Sequence, residues 1–432
     1  MEDTVKNAET LSPKKGVPPM LKKMLLLTSS LALCLVAASS AKDTISFWVR
    51  DSDQAIAAPL VKAYNNAQGD ATVKLTIIPA GQFVTKFATS IAGGSPPDVV
   101  ATDLIYVPAF AAADQMTDIT DRAKALAYFD KLSPSHIRLS TWQDKLYSVP
   151  FSAEASVLVY NKALFRQAKI DPEKPPTNFA EFENAAKQIT LLGGDVKGFY
   201  FSGSASGGMV FTSFPLIWAS GGDVLSSDGT QATVDNPATR ETLALYRRLW
   251  EGQVVPEGAK SDNGTNFFST FATGKIGMCF LGAFSIGILK EKYPNVEFGV
   301  APLFGKEGGR SSFAGGDSIG IPKGSKNVEA AWKFITWCLA DDVQIEQFAK
   351  HGSLPVRTDI GSAELSKIDA RYLVCAQMMA EGKTPYTVKY NELLNDQNGP
   401  WLAMFQEAVF GQGVDNAVKN GQQKFATILS SK

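Results

Sequence analysis

The sequence predicts an α/β fold divided between two lobes, and three observations carry that prediction. The 432 residues exceed one ordinary hydrophobic core of about 100 to 200 residues, so two lobes or domains are the default. Hydrophobic residues at 45% and charged residues at 20% describe a chain that folds, and 36 Gly with 22 Pro are too few for a low-complexity one. Third, residues 45–101 have a strand–helix–strand–helix–strand rhythm. That rhythm calls for right-handed crossovers and a parallel sheet with helices on both faces.

Each element has its own justification. Residues 45–49 are a short β-rich run, and beyond the polar residues 50–53 the apolar Ile56, Leu60 and Tyr64 step by four, a helical period. Val73, Leu75 and Ile77 alternate as a half-buried strand does. Phe83, Phe87 and Ile91 again step by four, until Gly93, Gly94, Ser95, Pro96 and Pro97 stop that helix. Residues 98–101 are the next strand. In such sheets ligands lie beyond the carboxyl ends of the strands, so residues 50–53 and Thr102-Asp103 present polar groups to one edge. A second unit begins near Ser152, after the β-like residues 146–151. It holds a strand at 156–160, a helix at 179–192 with Thr177 and Asn178 as candidate caps, a strand at 199–201 and an apolar helix at 210–218. The Ser/Gly stretch 202–208 has no following Lys and reads as a plain connection rather than a phosphate cradle. Residues 296–301 and 318–321 are strands. Residues 327–339 form a helix with Ala331, Phe334, Ile335 and Cys338 toward a core.

Composition narrows the function classes. Forty-two Lys and Arg against 43 Asp and Glu give a formal charge of -1, so no basic field exists to hold nucleic acid or an anionic bilayer. The expected ligand is close to neutral. His136 and His351, read as surface or capping residues, and four cysteines are too few for a metal cage or a disulfide framework. Cys279, Cys338 and Cys375 stand among apolar neighbours as buried free thiols. Nucleophile-elbow, HExxH, CxxC and dinucleotide-binding patterns are absent, so no catalytic residue, metal or cofactor is assigned. A glycosidase remains the enzymatic rival, because two carboxylates suffice for it and need no local signature.

The amino-terminal region reads as an address. Lys22 and Lys23 precede an apolar run over residues 24–38, closed by Ser39, Ser40 and Ala41 before Lys42 and Asp43, which is the pattern of a secretory signal peptide. Residues 1–41 are thus an extension plus signal, cleaved after Ala41 or Ala38, and the mature protein is expected to be exported and soluble. The run is shorter than the roughly 20 residues a spanning helix needs. The polar residues 1–19 suggest translation from Met20, which sequencing the uncleaved precursor checks. Leu33 before Cys34 argues against lipidation of that cysteine.

The chain holds, in order, GGSPPDVV at 93–100, LYSVP at 146–150, VLVYNKALF at 157–165, PPT at 175–177, FATGKIGM at 271–278, GGD at 315–317, IPKGSKN at 321–327 with AAWKF at 330–334, and LPVR at 354–357. On these motifs it resembles, from Ile45 to about Trp401, the solute-binding proteins of ATP-driven carbohydrate importers, the family of the maltodextrin and glycerol-3-phosphate binding proteins. It implies a two-lobed periplasmic-binding-protein fold (type II, clamshell), with mainly parallel sheets and several interlobe crossovers. Lobe 1 is then 43–152 plus 301–352, and lobe 2 is 153–300 plus 353–432. The implied function is a periplasmic, monomeric receptor that closes on a carbohydrate and hands it unaltered to an ABC permease, with a chemosensor as an alternative partner.

Carried over position by position, the resemblance marks Asp51, Asp53 and Asp103 at the strand exits and Glu154 before the YNK motif as hydroxyl-binding groups. It also marks Phe211, Phe284 and Trp401 as rings that stack on sugar, and Gly316 and Asp317 as a point of close approach. Each has a bland alternative. Asp51 or Asp53 can cap the following helix, Glu154 can be a solvated hinge charge, and Phe211 can belong to the core. Pro400 as a helix start is expected to aim Trp401 outward, and Trp48 to pack in the core. Phe284 and Met209 depart from the maltodextrin pattern, which has Trp and an acid there. A mono- or disaccharide is therefore expected, with a polyol or glycerophosphodiester left open.

Overall fold

The first strand, β1 (Asp43–Arg50), buries Ile45, Phe47 and Val49 on one face, the period of two that its sequence shows. A computed structural model describes residues 43–67, 71–360 and 362–431. The signal-peptide, start-site and Cys34 expectations lie outside the described residues. Helix α1 (Gln54–Ala67) lays Leu60, Val61 and Tyr64 on the core, and β2 (Ala71–Ile78) returns parallel to β1. Helix α2 (Ala80–Ala92) buries Phe83 and Phe87, ends at Gly93-Gly94 and leads to β3 (Val99–Asp103), also parallel to β1. The expected β-α-β-α-β unit with parallel strands is thus present.

The expected strands at 146–151 and 156–160 are one strand, β4 (Ser148–Asn161), buried along nearly its whole length. The sequence hides this continuity because Ser152, Ala153, Glu154 and Ala155 interrupt the apolar run. Those residues are held instead by pairing with a later strand. Helix α3 (Phe179–Thr190) follows, with Asn178 Oδ1 accepting from the Glu181 N–H at 2.9 Å as its cap. Strand β5 (Lys197–Tyr200) leads to α4 (Ser206–Ala219), and α5 (Pro237–Glu251) packs on α4. Strand β6 (Ile276–Gly282), parallel to β5, is buried at every residue. Helix α6 (Phe284–Lys292) and β7 (Phe298–Ala301) complete this half. After a hairpin packed on α4 come β8 (Ala314–Gly320) and α7 (Val328–Cys338), whose buried face is Ala331, Phe334, Ile335 and Cys338 as predicted. Helices α8 (Arg371–Glu381), α9 (Pro400–Phe410) and α10 (Val414–Ser430) close the chain. No helix among the described residues is long and apolar enough to cross a membrane.

The strands run in the order β2-β1-β3-β8-β4-β6-β5, with β7 also paired to β4. The pairs within the β-α-β units are parallel, and the strands that cross between them are antiparallel. In this two-lobed α/β fold, strand β4 pairs with β8 over Ser148–Ala155 and with β6 over Ser156–Tyr160. Gly316, at φ 119°, brings its backbone so close to the Ser152 carbonyl that a Cβ would sit 2.0 Å away. A register shift follows between Asp317 and Ser318.

Candidate functional site

Four charged side chains meet at the carboxyl ends of β1 and β3. Arg50 closes β1; its guanidinium pairs with Asp317 of β8, with Asp103 Oδ2 at 3.2 Å and with Asp53 Oδ2 at 3.5 Å. Asp317 is 1% exposed, while Asp103 keeps 26% of its side chain in solvent. Burial works to lower the Arg50 pKa, but the three carboxylates outweigh it and raise it. Asp103 is pushed up to about 6 by burial against the pull of Arg50, and burial raises Asp317 as well. The cluster therefore brings three of the expected acids together, mostly satisfied by one another. Asp51 stands apart: its Oδ1 accepts from the Ala80 N–H at 3.0 Å and so caps α2 from the end of β1.

A cavity of about 550 Å³ opens beyond the carboxyl ends of β5 and β6, against the amino end of α4. That is where a parallel sheet places ligands. The rings of Phe211, Phe267 and Phe284 stand in its wall, with Ser202, Asn263 and Asn395 among the polar groups. Among the described residues, no Asp, Glu, Lys, Arg or His lines it. Phe284 starts α6 and lies with its ring centre 6.2 Å from that of Phe267. Asn395, ahead of α9, donates from Nδ2 to the Tyr106 hydroxyl at 2.8 Å, which ties the cavity rim to the turn following β3.

Of the nine expected site residues, only Phe211 and Phe284 line this cavity. Glu154 sits behind Phe284 and is neither a solvated hinge charge nor turned into the void. Its carboxyl accepts from the Ala155 N–H at 3.1 Å, the Phe284 N–H at 3.3 Å and the Ala283 N–H, so it caps α6 from β4. Burial outweighs those bonds and pushes its pKa up to about 8. Trp401 is not aimed outward. Pro400 does open α9, but the ring is fully buried edge-on to Phe214 at 4.5 Å. Gly316 and Asp317 lie where β8 pairs with β4, and neither lines the cavity. His136 is no surface or capping residue: it is fully buried, with Nδ1 2.9 Å from Ser133 Oγ and Nε2 3.0 Å from the Ser152 carbonyl. The three cysteines are buried free thiols as expected, and Trp48 is half-buried against a small core cluster.

Sequence reasoning passed over Ser202, Thr212, Asn263, Thr265 and Asn395. The stretch 202–208, read as a plain connection, forms the cavity wall and the first turn of α4. Its position directly after a strand was the available signal.

The family model described as bacterial extracellular solute-binding protein matches residues 49–345. A Brucella abortus sequence named as a binding protein is 28% identical over 303 residues, 69% of this chain and 72% of the relative. The diacetylchitobiose binding protein of Streptomyces coelicolor is 24% identical, covering 91% of each chain. Among solved structures, the cyclic α-maltosyl-1,6-maltose binding protein of Arthrobacter globiformis superposes with a TM-score of 0.76 at 25% identity, over 90% of this chain and 99% of that one. The match to the family model extends over most of the described β-α-β framework, from β1 to beyond α7: this chain belongs to the bacterial extracellular solute-binding proteins.

Proposed function

We propose that the chain is the periplasmic sugar receptor of an ABC importer, which holds a mono- or disaccharide between its lobes and releases it unaltered to a permease. One observation carries this reading: the cavity has aromatic plates and neutral hydrogen-bonding groups but no charged side chain in its lining. A saccharide offers C–H faces to rings and hydroxyls to such groups, whereas a charged solute would leave its charge buried and unpaired. Phe211 and Phe284 are the stacking plates in this reading. Asp103, the best exposed member of the ionic cluster, reaches the ligand from the first lobe when the lobes close. The lobes are 43–152 with 301–352, and 153–300 with 353–432. The packing of the 303–311 hairpin on α4 supports a return to lobe 1 closer to β8 than to residue 301. The lining also lacks the carboxylate pair that glycoside hydrolysis requires, which supports binding without turnover.

The test is a thermal-shift screen of the purified protein against mono-, di- and trisaccharides, followed by calorimetry. A mono- or disaccharide should raise the melting temperature most and be recovered intact after long incubation. Tighter binding of trisaccharides refutes the size assignment. Hydrolysed sugar refutes the receptor reading.

A further inference from the structure

Among the residues lining the cavity, Tyr200, Ser202, Ser206, Thr212 and Thr265 bear hydroxyls, and each gives its only hydrogen to an acceptor of the protein. Tyr200 Oη and Ser202 Oγ both donate to Asp262 Oδ2, at 2.8 and 2.5 Å. Ser206 Oγ donates to the Leu394 carbonyl at 2.8 Å, and Thr212 Oγ1 donates to the Gly208 carbonyl at 2.8 Å. Thr265 Oγ1 donates to Asn263 Oδ1 at 2.7 Å. A hydroxyl has one hydrogen and two lone pairs. Once the hydrogen is committed, such a hydroxyl can meet a ligand only as an acceptor.

Asp262 organises the deepest part of this wall. It is buried behind the lining rather than in it. Besides the two hydroxyls on Oδ2, the Asn266 backbone N–H at 3.2 Å and Asn266 Nδ2 at 3.4 Å reach Oδ1. Four donors on two oxygens match an ionised carboxylate, which can only accept, so neither hydroxyl is free to turn its hydrogen toward the cavity.

We propose that Asp262 is a positioning residue that fixes the Tyr200 and Ser202 hydroxyls of this wall as hydrogen-bond acceptors. The ligand then meets those two groups with donors: the free hydroxyls of an unsubstituted saccharide, and not a phosphate or an ether. The ligand part of this proposal rests on the reading of the cavity as a sugar site. A glycerophosphodiester would set acceptor oxygens and a negative charge against lone pairs, with no lining cation to compensate.

Neutron diffraction from the unliganded protein tests the placement of the hydrogens without reference to any sugar. Hydrogens on Ser202 Oγ and Tyr200 Oη should point to an Asp262 that carries none. A hydrogen on Asp262, or a hydroxyl hydrogen directed into the cavity, overturns the proposal. Calorimetry with D-glucose, maltose and diacetylchitobiose, their monodeoxy and monodeoxyfluoro analogues, and glycerol 3-phosphate tests the consequence. Fluorine fills the place of a hydroxyl but cannot donate. Where removal of a hydroxyl weakens binding, the fluoro analogue should bind no better than the deoxy one, about tenfold below the parent. Fluoro analogues as tight as the parent, or glycerol 3-phosphate tighter than every sugar, overturn it. If none of the sugars binds, the receptor reading fails while the neutron map alone decides the role of Asp262.

Asp262→Asn keeps an oxygen for Asn266 and turns an amide NH₂ toward Ser202 and Tyr200. The parent sugar should bind about tenfold more weakly, and fluoro analogues should gain relative to it, at a melting temperature that reports an intact fold. Ser202→Ala should weaken binding in the native chain and add little to Asp262→Asn. Equal losses from Ser202→Ala in both backgrounds would show that Asp262 does not act through Ser202.

Discussion

At the carboxyl ends of β1 and β3 four charged groups face one another, while at the carboxyl ends of β5 and β6 uncharged groups face a void. Both regions take polar side chains out of water at the same kind of topological position. The first resolves the cost internally, with Arg50 shared among three carboxylates. The second spends the hydrogens of its hydroxyls on acceptors of the protein. Conspicuous titratable residues therefore mark where this protein holds itself together, and inconspicuous Ser, Thr, Asn and Phe mark where it has room for a ligand.

The comparison can be broken most directly at Arg50. Arg50→Met leaves Asp53, Asp103 and Asp317 without their common partner and should cost about 3–5 kcal/mol of stability in urea unfolding; a loss below about 1 kcal/mol would mean that the cluster is not structural. Gly316→Ala places a Cβ against the Ser152 carbonyl at a positive φ and should cost about 2–3 kcal/mol by the same measurement. In the cavity the effects move from stability to binding. Phe284→Ala should weaken the sugar found by thermal shift about tenfold, near 1.4 kcal/mol, with little change in melting temperature. Unchanged affinity would remove the ring from the site.

The smallest effect separates the two regions by pH. Glu154 titrates at about 8 in the folded chain, against an ordinary value of 4.5. Across that interval the folded form keeps a proton that the unfolded form has lost, so stability falls as pH rises. Asp103 acts in the same direction only up to about 6. His136, lowered to about 4 by burial, acts in the opposite direction below its ordinary 6.5. Between pH 6.5 and 8 the decline should therefore become shallower in Glu154→Gln; an unchanged slope would assign it to Asp317, which burial also raises.

Much of the architecture was legible because periodicity reports burial. The steps of four in α1 and α2, the alternation in β2 and the buried face of α7 all stand where the pattern placed them. The site was less legible, because the same residue types serve caps, ion pairs and ligands. Asp51 and Glu154 have the chemistry of hydroxyl-binding groups, yet backbone N–H groups from α2 and α6 engage them. Trp401 has the chemistry of a stacking plate, yet Phe214 from α4 occupies the space beside it. Those partners lie 29 to 187 positions away in the chain, beyond the reach of local spacing. Tyr200 and Ser202 were readable as the end of a strand, but Asp262, which fixes their polarity, lies 60 residues further on.

Strand β4 has one more consequence. Its 14 residues pair first with β8 and then with β6, and side chains on a strand alternate faces. Deleting or inserting a single residue near its middle would turn the alternation on one side of that point inside out relative to the other, so the halves cannot drift independently in evolution. The strand acts as a common ruler for both.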